Sequence, residues 1–363
     1  MLVCNHTRTQ YPLNAPIWKS DSGGLLQIAF LPTHFQPELL AQRPPSLWRY
    51  REALPIAPEA EIVSMGEGFT PLQKITFEGF SVYFKLEFLF PSGSYKDRGA
   101  TVLLTQAKNL SVSHIVQDSS GNAGCSIACY AAAANINCDI YVPADTSAAK
   151  LQQIEMYGAN LHKIVGNREA TAKAALEAAQ NTYYASHVWN PFFLQGTKTM
   201  AYEIAEQMQW QAPDTLILPL GNGTALLGAF IGFRELYELG IIKKIPKIIG
   251  IQAANCAPAY HLLHKTTLPP TPQKTIAEGI AIAEPLRMTE IIEAIQTTQG
   301  DIICVEEEDI LLHWHKIAKK GYYVETTTAA IVAGIHQYKN NKTNTDEIIV
   351  SMLSGTGLKS NKK

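Results

Sequence analysis

The stretch TLILPLGNGTALLGAFIGF, residues 215–233, decides the fold class. It opens as a short apolar run, turns at Gly221-Asn222-Gly223 and continues as an apolar segment of helical length. A strand covered on both faces reads this way, because it has no wet side for polar residues. The same order recurs along the chain. Strands are expected at Val82–Leu86, His114–Gln117, Asp139–Val142, Asn160–Ile164, Thr215–Leu218, Lys247–Ile251, Asp301–Val305 and Glu347–Met352. Helical periodicity fills segments between them, such as Arg168–Gln180 and Gly196–Gln209. Strand alternating with helix predicts an α/β fold with parallel-type sheets wrapped by helices. Residues 265–275 and 339–347 read as exposed loops.

Bulk properties narrow the function classes. A chain of 363 residues with 46% hydrophobic and 17% charged residues buries a sizeable core and suggests two domains. A formal net charge of −2 points to neither nucleic acid nor an anionic membrane surface. The six cysteines are scattered through apolar segments and read as buried thiols, not a disulfide framework. The start lacks a signal-peptide pattern, and the most apolar stretches fall short of the ~20 residues of a membrane span. A cytoplasmic protein with a small-molecule partner is expected.

In open α/β sheets ligands bind beyond the carboxyl ends of strands. Four loops there carry unusual chemistry. Pro91–Gly99 (PSGSYKDRG) leads through small residues from a strand into a helix start, where Lys96 stands with Asp97 and Arg98; a lysine with a lowered pKa forms Schiff bases, although an isolated lysine is usually a surface residue. Ser119–Gly124 (SSGNAG) follows the strand HIVQ and opens an apolar helix, so its backbone N–H groups suit a carboxylate and Asn122 a ring oxygen; simple helix capping is the competing reading. Gly221, Asn222, Gly223, Thr224 and Ala225 form a phosphate cradle. A dinucleotide fold fails here: Gly228 comes too late, and Gln252 stands where the acid belongs. Ser354-Gly355-Thr356-Gly357 follows the last strand and offers a hydroxyl to a heterocyclic nitrogen, or is an ordinary turn. One ligand accounts for all four: a phosphorylated pyridine aldehyde, pyridoxal 5'-phosphate (PLP). The pairs His261/His264 and His313/His315 lack a metal-site context and read as solvated helix positions, and no metal is expected.

The ordered motifs LWRYREALP (47–55), GEGFTPL (66–72), KLEFLFPSGSYKDRG (85–99), SSGNAG (119–124), VPADTSAAKLQQIEMYGA (142–159), NPFFLQGTKT (190–199), PLGNGTALLG (219–228), TIAEGIAI (275–282) and SGTGLK (354–359) resemble fold-type II PLP enzymes, and threonine synthases among them. The resemblance implies a tryptophan synthase β-like fold with two parallel-type sheets, PLP bound covalently to Lys96, Asn122 on the ring oxygen, the Gly221–Ala225 backbone on the phosphate and Ser354 on the ring nitrogen. It implies a lyase, a homodimer, and a division into an irregular, degenerate zinc-ribbon-like extension (1–50), a large PLP-binding domain (51–99 and 206–363) and a small mobile domain (100–205). Cys4 lacks the second cysteine of related ribbons, so no zinc is expected there.

The sequence departs from the family at the substrate. Relatives often read N-S-x-N-P-x-R-x-E-G-x-K-T, whereas this chain has Val188 at the serine place and Phe193 at the arginine place; Ala123 replaces a common threonine. Phenylalanine cannot stand in for an arginine fork on a phosphate. Substrate-binding candidates are Ser119, Ser120, Ala123, His187, Phe193 and Lys198, the last as a compensating phosphate donor. The reaction implied is O-phosphohomoserine plus water to threonine plus phosphate. Elimination or replacement on O-phosphoserine or an acylated serine, and non-catalytic PLP binding, are the alternatives.

Overall fold

Every anticipated strand is present in the computed structural model within two residues of its expected bounds. The structure describes residues 1–144, 146, 148–166, 168–267, 271–340 and 346–359. Parts of the anticipated loops at 265–275 and 339–347, and of the 142–159 motif, therefore lie outside the described residues. The chain forms two compact units, one from Met1–Phe69 and Phe90–Thr197, the other from Thr70–Leu89 and Lys198–Ser360.

The first unit holds two sheets. Residues 1–50, expected to be irregular, contain β1 (Leu2–Cys4), β2 (Gln10–Tyr11) and β3 (Leu26–Ile28), antiparallel in the order β2-β1-β3. These strands are too short to show periodicity in sequence. The larger sheet is parallel throughout, in the order β8-β7-β6-β9, from β6 (His114–Gln117), β7 (Asn137–Pro143), β8 (Asn160–Ile164) and β9 (Tyr183–Tyr184). Its helices are α1 (Lys96–Asn109), α2 (Asn122–Ala134), α3 (Ala148–Met156), α4 (Arg168–Ala178) and α5 (Pro191–Thr197). Leu103, Ile115, Ile127, Tyr130, Ile140 and Ile154 are buried in one core; each large aliphatic so placed contributes about 1.5–3 kcal/mol. Helices α1 and α5 cross at glycines: a Cβ on Gly196 would overlap the Arg98 carbonyl, and one on Gly99 would overlap the Phe193 ring.

The second unit is one six-stranded sheet in the order β12-β11-β10-β13-β5-β4. Its strands are β4 (Leu72–Phe77), β5 (Phe80–Lys85), β10 (Thr215–Pro219), β11 (Lys247–Ala253), β12 (Asp301–Val305) and β13 (Ile349–Met352). All neighbours are parallel except β4 and β5, a hairpin closed by Glu78 and Gly79. Both turn residues have positive φ, 49° and 87°, as a two-residue turn matched to strand twist requires. Around the sheet run α6 (Thr199–Gln207), α7 (Thr224–Glu238), α8 (Pro258–His264), α9 (Met288–Thr297), α10 (Glu307–Ala318) and α11 (Thr326–Asn340). The single helix expected at 196–209 is two helices meeting at Lys198. Gly196 is fitted to α1, whereas a Cβ on Gly232 of α7 would lie 2.5 Å from the Lys198 carbonyl, so the two halves answer to different neighbours. A buried ion pair, Lys85 with Glu203 at 2.7 Å, ties β5 to α6.

Candidate active site

Lys96 is the first residue of α1, half-buried, with its ammonium 4.7 Å from the Tyr95 ring centroid and 5.8 Å from that of Phe193. The loop before it is fixed from both sides. Gly93 takes φ 84°, and its N–H reaches the Phe90 carbonyl at 2.7 Å. The fully buried Asp97 carboxylate accepts from the Ser92 N–H at 2.7 Å, from the Ser92 hydroxyl, and from the Ser126 hydroxyl at 2.7 Å on α2. That clamp holds the start of α1 against α2, so Lys96 leaves from a rigid corner. Ser94, two residues before, is fully buried and its Oγ has no hydrogen-bond partner.

Strand β6 ends at Gln117, and Ser119, Ser120 and Asn122 are half-buried at the opening of α2. A Cβ on Gly124 would overlap the Ser119 carbonyl, so the loop folds back on the first helical turn only because that residue is glycine. Ala123 is buried. His187 and Phe193 are also buried and meet edge-to-face at 5.9 Å. Phe193, at the arginine place, is wholly enclosed and lies over Gly99.

In the second unit β10 runs into Gly221-Asn222-Gly223, and α7 starts at Thr224. Gly223 has φ 77°, and a Cβ there would lie 2.6 Å from Ile291. Gly221 is overlaid by 279–282: its Cβ would lie 3.1 Å from the Gly279 carbonyl. Thr224 and Ala225 are buried, Asn222 half so. Ser354 is buried, with its hydroxyl 2.8 Å from that of Thr328 and donating to Glu325 at 3.3 Å. Lys198 is fully buried with its ammonium 2.8 Å from Glu235, whose other oxygen accepts from Tyr202 at 2.7 Å. Burial pushes the Glu235 carboxyl up and the Lys198 amine down, each opposed by the partner's charge. The amine expected to compensate for a missing arginine is thus committed to a carboxylate.

Residues 63–355 match the family described as pyridoxal-phosphate dependent enzyme. The chain is 34% identical over 365 residues to threonine synthase of Methanocaldococcus jannaschii, covering 96% of this chain and 90% of that one. It belongs to the threonine synthase family of PLP-dependent enzymes. Another member, threonine synthase of Methanosarcina acetivorans, is 33% identical over 375 residues, covering 99% of this chain and 92% of its own. The fold extends further: the structure of maize serine racemase superposes with a TM-score of 0.71 at 18% identity, over 87% of this chain and 94% of that chain. The fold is accordingly fold-type II.

Each unit, taken by itself, carries residues that fit part of the family's cofactor. In the first are an amine at a helix start and the orphaned Ser94 hydroxyl, which wants a polar partner; in the second is a glycine turn at the N-terminus of α7, suited to a phosphate. Sequence reasoning missed Ser94, Glu325 and Thr328. Ser94 sits inside the quoted motif, two residues from the lysine, and its burial was the missing signal. Glu325 and Thr328 lie at the start of α11, far along the chain from Ser354, and no local pattern marks them. His264 and His315 are exposed and His261 half-buried, but the expectation of solvated positions fails at His313, which is buried: α10 turns it inward onto the β4–β5 hairpin, where it meets Glu78.

Proposed function

We propose that this chain is a threonine synthase, converting O-phosphohomoserine and water to threonine and phosphate. The carrying observation is likeness to threonine synthases along nearly the whole chain together with Lys96 at the rigid start of α1. Bound PLP supplies an electron sink for carbanions formed on the substrate. Lys96 holds the cofactor covalently, Asn122 meets its ring oxygen, and the N–H groups of Gly221–Ala225 receive its phosphate. Ser354, held between Thr328 and Glu325, meets the ring nitrogen. Ser119 and Ser120 before α2, and Ala123 in its first turn, take the substrate carboxylate on backbone N–H groups, and His187 borders the substrate. Full-length likeness to threonine synthases disfavours elimination on other amino acids and non-catalytic binding.

In this reading residues 100–205 are the small mobile domain, which closes when the carboxylate binds and excludes bulk water; the working form is a cytoplasmic homodimer. Among the described residues no helix is long and apolar enough to cross a membrane, and all six cysteines are free, which fits a reducing compartment. Purified enzyme given O-phosphohomoserine should release phosphate and threonine with a specificity constant of ~10⁴–10⁸ M⁻¹s⁻¹. Turnover only on other phosphorylated or acylated amino acids would overturn the assignment. Hydrogen exchange across 119–135 should slow with substrate; unchanged protection would remove the closure.

A further inference from the structure

We propose that Glu78, His313 and His336 form a binding site for one divalent cation of the zinc class. The three come from separate elements of the second unit: the β4–β5 turn, α10 and α11. Their ligand atoms lie within 4.8 Å of one another. Glu78 Oε2 is 3.2 Å from His313 Nε2 and 2.7 Å from His336 Nδ1. Zinc bonds of about 2.0–2.1 Å place tetrahedral ligand atoms roughly 3.3 Å apart; the His313 contact has this spacing, and the shorter His336 contact opens by roughly half an ångström to admit the ion.

The tautomers point to a cation. His313 Nδ1 is 2.8 Å from the Asp309 carbonyl, which only accepts, so Nδ1 carries the hydrogen. The neutral ring then turns the Nε2 lone pair towards a carboxylate oxygen. Two lone pairs facing each other at a side chain only 2% exposed are unfavourable unless positive charge lies between them. His336 brings a second imidazole to the same oxygen. Two partners suit metal ligands as they stand: the Asp309 carbonyl behind His313 and Lys316 on the other Glu78 oxygen; the Asn340 amide nitrogen, 2.8 Å from His336 Nε2, must turn over and offer its oxygen to an Nε2–H when Nδ1 binds the ion. Glu78 also sits at φ 49°, a conformation that costs residues other than glycine roughly 1–2 kcal/mol and that this turn normally gives to asparagine, aspartate or glycine. Two nitrogens and one oxygen select a zinc-like ion over magnesium or calcium, which want oxygen. Glu78 and His336 are 22% and 32% exposed, leaving an entry path and room for water as fourth ligand.

The competing ligand is sulfur. The chain also has six free thiols, so the test must tell nitrogen from sulfur. Holoenzyme stripped with a chelator and titrated calorimetrically with Zn²⁺ should take up one tight equivalent per chain. Glu78→Gln and His336→Ala should each weaken it more than ~100-fold, since losing even an outer partner costs 10–100-fold, with far-UV circular dichroism and cofactor absorbance unchanged. X-ray absorption of the Co²⁺ form should show only nitrogen and oxygen neighbours. No tight equivalent in the wild type, an equivalent unchanged in both variants, or sulfur in the cobalt shell would each overturn the site.

Discussion

Lys96 stands one residue before Asp97, whose carboxylate accepts from the Ser92 N–H and hydroxyl and from the Ser126 hydroxyl. Lys96→Ala should abolish turnover and the visible absorbance of lysine-bound cofactor, and borohydride reduction with peptide mapping should place the pyridoxyl group on Lys96; label on another lysine refutes the assignment. Phe193 behaves differently from what its motif suggests. Read from sequence alone, Phe193→Arg restores a lost phosphate fork. In the structure the ring is wholly enclosed over Gly99 and beside His187, and an arginine there is a buried, unpaired charge. We expect Phe193→Arg to lower stability by about 3 kcal/mol or more without improving turnover. A variant that melts like wild type and gains activity on O-phosphohomoserine would show that the pocket opens to a phosphate.

Among the elements, the central parallel strands were legible because both faces are buried and each holds an apolar run, Leu216–Leu218 in β10 and Ile248–Ile251 in β11. Strand β4 was not: LQKITF lies at the sheet edge with half its residues exposed, and its pattern resembles a loop. Strand β9, two residues long, carries too little signal to read. The helix break at Lys198 was invisible because Gly196 and Gly232 enforce it through neighbours distant in sequence. The turns after β6 and β10 were legible as places where a strand passes to a helix through small residues; the Thr328–Ser354–Glu325 contacts were not, because tertiary folding assembles them. Gly223 illustrates the difference between motif and structure. Its φ of 77° and the nearness of Ile291 make glycine necessary for the turn itself. Gly223→Val should therefore weaken PLP binding and also lower the melting temperature of the cofactor-free protein. Weak binding with an unchanged apo melting temperature would mean that only the ligand feels the substitution.

For the molecule as a whole, acid stability follows from its depressed carboxylates. Arg43 grips Glu52 with both nitrogens, at 2.5 and 2.6 Å, and holds its carboxyl below the usual range. A carboxylate whose pKa is lower folded than unfolded adds stability above its unfolded value, ~4.3, and loses it as pH falls through the folded value. Both groups are partly exposed, so the pair is worth at most about 1 kcal/mol. Glu52→Gln should melt slightly earlier than wild type at pH 7, and the gap should close below about pH 4; a gap that widens in acid would reverse the sign.

The pairing of β5 with β13, Tyr83 opposite Val350, has a consequence for synthesis. A ribosome makes the hairpin early and its partner almost last; at ~5–20 residues per second, Val350 emerges tens of seconds after Tyr83. Throughout that interval the inner edge of β5, a row of unsatisfied N–H and C=O groups, has no native neighbour and is open to wrong partners. Nascent chains stalled before Ile349 should bind a holding chaperone around residues 72–85, and release it once the last strand is out.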